Sequence, residues 1–162
     1  MRSILQIISL VVLLLTPATF FATPPQSPPN ISISASVSPD KVQRGRTVKG
    51  IVVMDIPSGF HVNSNHPLEK FLITTQLKLE PQNGIRVSAV SYPRAVLRKF
   101  KFSKSRVSVY EGRATMTFNV TVPASVSSGA KELKGRLRFQ SCNDELCFQP
   151  QTRDVSLWIN VQ

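Results

Sequence analysis

Two cysteines and two histidines are the whole supply of thiol and imidazole in this chain of 162 residues, and only nine acidic residues stand against 20 lysines and arginines. Two thiolates make half of a tetrahedral metal site. His61 and His66 lie in "GFHVNSNHPLEK", far along the chain from either cysteine, and read as loop or hydrogen-bonding residues. No metal and no cofactor is therefore expected. Serine, histidine and aspartate occur, but no spacing ties them into a hydrolytic site. There is no Gly-rich phosphate loop and no internal repeat. Beyond the first 22 residues no window shows an apolar stripe at the helical period, and none is apolar enough to cross a membrane as a helix.

The start of the chain departs from the rest. "MRSILQIISLVVLLLTPATFFA" places Arg2 before an apolar run from Ile4 to Leu15, broken only by Gln6 and Ser9. Ala18 and Ala22 follow in a small-residue region. This is the layout of a secretory signal peptide over residues 1–22, cleaved near Ala18 or Ala22. An uncleaved amino-terminal anchor is the alternative, although the run is short for a spanning helix, which needs roughly 20 apolar residues. The segment has no cysteine for lipid attachment. Residues 23–30, "TPPQSPPN", hold four prolines and read as an extended tether. The folded domain is then expected over residues 31–162, large enough to bury one core without extra staples. Export, to the periplasm or otherwise, puts the cysteines where disulfides form and persist.

What fills the domain is strand after strand. "ISISASV" alternates Ile31, Ile33, Ala35 and Val37 on one face, and "TVKGIVVMDI" is a second, mostly apolar strand. "FLITTQLKLE" alternates Ile73, Thr75, Leu77 and Leu79, and "PQNG" follows as a turn whose Asn83-Gly84 suits positive φ. "IRVSAVSY" comes next. "RATMTFNVTV" puts Ala114, Met116, Phe118, Val120 and Val122 on one face. "KELKGRLRFQ" does the same with Leu133, Gly135, Leu137 and Phe139, and "RDVSLWINV" with Val155, Leu157, Ile159 and Val161. Seven or eight strands joined by Pro/Gly turns predict an all-β protein, an antiparallel β-sandwich of the immunoglobulin-like class, with a jelly roll or small barrel as the alternative.

The formal net charge is +11. Arg94, Arg98, Lys99, Lys101, Lys104 and Arg106 crowd "RAVLRKFKFSKSR" with no acid among them. In a cytoplasmic protein this would suggest nucleic acid. In an exported one an acidic protein partner or an anionic membrane surface fits better, and no nucleic acid is expected. A solvated loop that only aids solubility explains the charge equally well.

Both cysteines sit in "RFQSCNDELCFQPQT". Cys142 ends the strand "LRFQSC", "NDEL" makes a polar turn, and Cys147 opens the returning chain. Opposed residues of a non-hydrogen-bonded antiparallel pair have Cα atoms about 4.5 Å apart, within disulfide range. As a staple such a bond is weak: a ring of about six residues is worth roughly 2 kcal/mol, against about 4 kcal/mol for one closing ~60 residues. Position alone leaves a structural disulfide and a reactive pair both open.

"LRFQSCNDELCFQPQT" resembles the active-site hairpin of the amino-terminal periplasmic domain of the thiol:disulfide interchange protein DsbD: aromatic, Gln, small residue, Cys, short polar loop, Cys, then an aromatic or aliphatic and Pro. "GFHVNSNHPLEKFLITTQLKLE" and "VSVYEGRATMTFNV" are similar to that family's corresponding stretches, in the same order. The resemblance implies an immunoglobulin-like fold and a thiol-disulfide exchange module that carries reducing equivalents, cytochrome c maturation being among its uses. It implies that Cys142 and Cys147 are the redox couple, with Cys147 forming the mixed disulfide and Cys142 resolving it. It implies a cap loop, matched by "KFKFSKS", with Phe102 as the capping aromatic and Phe100 second. The implied partners are exported thioredoxin-fold proteins and a membrane-embedded thiol reductant. Two features depart from the best-known members: the four-residue loop between the cysteines is shorter, and the cap is basic where theirs is acidic. The alternative reading is a non-catalytic β-sandwich that binds protein and carries a structural disulfide.

Overall fold

The computed structural model describes residues 27–162. The signal peptide expected over residues 1–22 lies outside them, as does the first half of the tether, and residues 27–30 have no regular secondary structure. The strands in chain order are β1 (Ser32–Ser38), β2 (Lys41–Val42), β3 (Thr47–Asp55), β4 (His61–Asn63), β5 (Gln76–Glu80), β6 (Arg86–Val87), β7 (Val96–Lys99), β8 (Arg106–Tyr110), β9 (Arg113–Thr121), β10 (Gly129–Phe139), β11 (Ser141–Cys142) and β12 (Gln151–Val161). No helix occurs among the described residues.

Period-two alternation builds two facing sheets. One has the order β1-β3-β9-β6 and the other β2-β12-β10-β5. Ala114, Met116, Phe118 and Val120 of β9 are buried with Val48, Val52 and Met54 of β3. From the other sheet come Leu133, Leu137 and Phe139 of β10, and Val155, Leu157, Ile159 and Val161 of β12. All of these join one apolar core. Each such large side chain taken out of water contributes roughly 1.5–3 kcal/mol, the main favourable contribution to folding. Asn83 and Gly84 both take positive φ in the turn before β6.

This is the immunoglobulin-like sandwich expected, with corrections. The strands are not all antiparallel, because β2 runs parallel to β12, Asn160 facing Lys41 and Val161 facing Val42. The chain passes from one sheet to the other between β1 and β2, so each sheet receives part of its amino-terminal strand. "FLITTQLKLE" is extended only from Gln76, since Leu72 turns away into a separate apolar cluster. "IRVSAVSY" keeps only a two-residue strand, β6.

A third sheet, β11-β4-β8-β7, carries Cys142, which an isolated antiparallel bridge joins to Cys147. It was not foreseen, and it corrects the loop reading of the basic run. Val96–Lys99 is strand β7, exposed at each residue and paired with β8 from Val96–Val109 to Lys99–Arg106. Its charge suits an edge strand, where cationic side chains discourage pairing with another chain.

Candidate redox site

"LRFQSC" is not one strand. β10 ends at Phe139, the chain turns at Gln140, and β11 leaves the large sheet to pair with β4. Gln140 makes the turn possible. Its Oε1 accepts from Asn63 Nδ2 at 3.1 Å and from the Ile73 amide at 3.3 Å, and its Nε2 donates to the Phe148 carbonyl at 3.1 Å. One side-chain amide thus joins β4, the loop after it and the returning arm of the hairpin.

The cysteine hairpin itself has regular pairing. Phe148 N donates to Ser141 O at 2.9 Å, and Asn143 N donates to Leu146 O at 2.9 Å. Cys142 and Cys147 are the non-hydrogen-bonded pair between those rungs, with Cα atoms 4.0 Å apart and a disulfide joining them. The turn is held by Asn143 Oδ1, which accepts the amides of Glu145 and Leu146, each at 2.9 Å.

The two sulfurs live in different surroundings. Cys142 is wholly buried, 0% exposed, opposite His61 in the β11–β4 register. Cys147 is half-buried and packs at the margin of an apolar cluster formed by Leu72, Phe100, Val107 and Val109. Beside it opens a cleft of about 200 Å³ lined by Phe71, Leu72, Phe102, Gln140 and Cys147. Phe71 of its lining and Leu68, both on the loop between β4 and β5, are exposed large apolar residues.

Over this lies the loop between β7 and β8. Phe100 stacks on His61 with ring centroids 3.9 Å apart and planes 12° from parallel. Phe102 stacks on Phe100 at 5.3 Å and 7°. Phe100 is 8% exposed and serves as the root of the stack; half-buried Phe102 is its outer ring. The loop is fastened to the hairpin: Lys101 N donates to Asp144 O at 3.3 Å, and the Lys101 ammonium pairs with Glu145 at 3.5 Å. Lys99 Nζ, at the end of β7, donates to the Lys104 carbonyl of this loop.

Electrostatics at the site centre on His61. It is 2% exposed, and its Nε2 is buried with no hydrogen-bond partner. Burial pushes its pKa down to about 4, against the opposing pull of the Glu111 and Asp144 carboxylates. The imidazole is neutral at neutral pH. Arg98 of β7 holds Glu111 by a bidentate pair, with its Nη2 2.9 Å from Glu111 Oε2.

A fold of this kind with a half-shielded hairpin disulfide has a counterpart in known sequences. The family described as thiol:disulfide interchange protein DsbD, N-terminal, matches residues 34–158. The chain belongs to that family. No curated protein matches it by sequence. Among solved structures, the N-terminal periplasmic domain of ScsB from Proteus mirabilis aligns at TM-score 0.49 and 16% identity, covering 80% of this chain and 45% of that one. A family 123 glycoside hydrolase from Clostridium perfringens aligns at 0.35 and 13% identity, over 82% of this chain and 28% of that one. PapD-like domain 7 of human CEP192 aligns at 0.34 and 9%, over 91% and 96%. This DsbD-type chain thus spans less than half the length of the ScsB chain it matches.

In this DsbD-type domain Cys142 is disulfide-bonded to Cys147, and Cys147 and Phe102 pack against the apolar cluster that contains Phe100. The placement of the histidines needs correction. His66 is exposed, but His61 is not remote from the cysteines, because β4 pairs directly with β11. His61, Asn63 and Gln140 are site residues that sequence reasoning missed. The three residues of β4 that include His61 and Asn63 are all buried, so no period-two pattern marks them in the sequence. Arg98 and Lys101 of the basic run have acidic partners within the chain, Glu111 and Glu145.

Proposed function

We propose that this domain is an exported dithiol carrier that reduces partner disulfides through Cys147. The observation that supports it most is the asymmetry of the pair: Cys142 is sealed, whereas Cys147 borders an open apolar cleft. Exchange requires one reachable sulfur and a second close enough to displace the partner from it. In the reduced domain, the Cys147 thiolate attacks a partner disulfide. This gives a Cys147–partner mixed disulfide and releases one partner thiolate. Cys142 then attacks Cys147 Sγ, re-forms the disulfide and releases the second partner thiolate. Two electrons pass to the partner, and a separate thiol reductant must restore the dithiol.

Phe102, backed by Phe100, acts as the lid that shields Cys147 until a partner docks. The partners on this reading are exported thioredoxin-fold proteins downstream and a membrane-embedded thiol reductant upstream, in the periplasm. An acidic partner surface would meet Arg94, Lys99, Lys104 and Arg106, the cations of the basic run other than Arg98 and Lys101, which the chain pairs internally.

Equilibrium titration of the Cys142–Cys147 pair against glutathione, read by thiol alkylation and mass, tests the proposal. A midpoint between about −180 and −270 mV, the range of exchange proteins, supports the carrier. A midpoint below about −300 mV, where structural disulfides sit, overturns it and leaves a stapled protein-binding module. Partners of the carrier should then be trapped as mixed disulfides on a Cys142→Ala variant.

A further inference from the structure

Resolution of a mixed disulfide needs Cys142 as a thiolate, yet Cys142 is the sealed member of the pair. An apolar surrounding disfavours the thiolate and raises a thiol's pKa. Water does not reach the residue to take its proton. One titratable side chain does face it. His61 is the direct antiparallel partner of Cys142, and such partners project from the same face of their sheet with Cβ atoms about 4.5–5.5 Å apart. The ring is held in place by its stack on Phe100, and its buried Nε2 has no hydrogen-bond partner.

Resting on the carrier reading above, we infer that His61 is the general base that takes the proton of Cys142 during the resolving step. The Cys142 S–H proton passes to the neutral imidazole. The thiolate attacks Cys147 Sγ, the bond between Cys147 and the partner breaks, and the partner sulfur leaves with the electron pair. The imidazolium then returns its proton to the departing thiolate or to water. The carboxylates of Glu111 and Asp144, the charged groups that act on His61 from β8's end and from the hairpin turn, favour the transient imidazolium. Arg98 is bound to Glu111, and Lys101 to Glu145. The neutral ring has a lone pair to accept the proton, and its low pKa means that the imidazolium exists only in passing.

The test uses the reduced domain and one equivalent of dithiobis(nitrobenzoate), which separates the two steps. Attack by Cys147 releases the first nitrothiobenzoate, and resolution by Cys142 releases the second. In His61→Phe the stacked ring is kept without a titratable nitrogen. The first release should stay within about twofold, while the second slows about 100-fold at neutral pH and recovers as pH rises. His61→Gln, polar but unable to hold the proton, should behave like His61→Phe. An unchanged second phase with an unchanged pH profile overturns the inference, and so does full rescue by glutamine. Wild-type protein gives a reading that needs no variant. NMR titration of the His61 ring should differ between the oxidised and reduced domains, and identical titrations overturn the inference. Failure of the carrier reading would appear elsewhere, as a glutathione midpoint below the range of exchange proteins. Failure of this inference appears as a normal second phase in a domain whose first phase is intact.

Discussion

The backbone amide of Lys101 donates to the carbonyl of Asp144 at 3.3 Å, tying the cap loop to the tip of the cysteine hairpin. The Lys101 ammonium adds a pair with Glu145 at 3.5 Å, and both side chains are well exposed. An exposed pair of this kind is worth at most about 1 kcal/mol, and the backbone bond survives a side-chain change. Glu145→Gln should therefore speed reduction of the disulfide by a small thiol by no more than about fivefold. High salt should bring the wild-type rate toward the variant's, because the pair is screened. A salt-independent rate difference would remove the ion pair from any part in holding the cap shut.

The two capping rings should separate shielding from stability. Phe100 is buried in the cluster with Leu72, Val107 and Val109, and its loss to alanine leaves a cavity there. Phe100→Ala should cost about 3 kcal/mol in urea unfolding. Phe102 is half-buried at the outer end of the stack and lines the cleft with Cys147. Phe102→Ala should cost about 1 kcal/mol, the usual size for a partly exposed site, yet accelerate alkylation of Cys147 in the reduced domain. If Phe102→Ala leaves that alkylation rate at the wild-type value, Phe102 is not the lid.

How far the sequence disclosed this site follows from how local each feature is. The alternation in "RATMTFNVTV" and "RDVSLWINV" gave the core faces of β9 and β12 residue for residue, because a half-buried strand writes its burial into a period of two. The cysteine hairpin was legible for the same reason: its register depends on six adjacent residues. The third sheet was not legible. β4 and β11 are three and two residues long, and wholly buried strands of that length have no alternation to show. β7 has the opposite problem, since four exposed residues look like a loop until β8 is known to lie beside them. His61 meets Cys142 across 81 positions of chain, a pairing that only the turn at Gln140 creates.

A core position away from the site offers a control. Gly50 faces Phe118 across β3 and β9, and a Cβ there would lie 2.2 Å from the Phe118 ring. That ring is buried, so it has little room to yield. Gly50→Ala should destabilise the domain by about 1–3 kcal/mol, as overpacking does. Adding Phe118→Leu should recover part of the loss by removing the clashing ring edge. Rates of disulfide reduction should not change in either variant under native conditions, since both residues belong to the β1-β3-β9-β6 sheet. Full wild-type stability in Gly50→Ala would show that the β3–β9 pair relaxes where the packing says it should not.

His61 also makes stability depend on pH in a stated direction. Its folded pKa of about 4 lies below the ordinary value of 6.5, chiefly because burial disfavours the charged ring. The unfolded chain therefore binds more protons between these two values. The stabilisation from keeping His61 neutral is complete above pH 6.5 and is lost as pH falls toward 4, by up to about 3 kcal/mol. Urea unfolding at several pH values across that window should show the slope in the oxidised wild-type domain. His61→Phe, which stays neutral throughout, should flatten it. Comparison between pH 6.5 and 5 isolates the imidazole, because every other titratable group is common to wild type and variant. A His61→Phe slope equal to wild type in that upper range would mean that the buried imidazole is not the group whose protonation destabilises the fold.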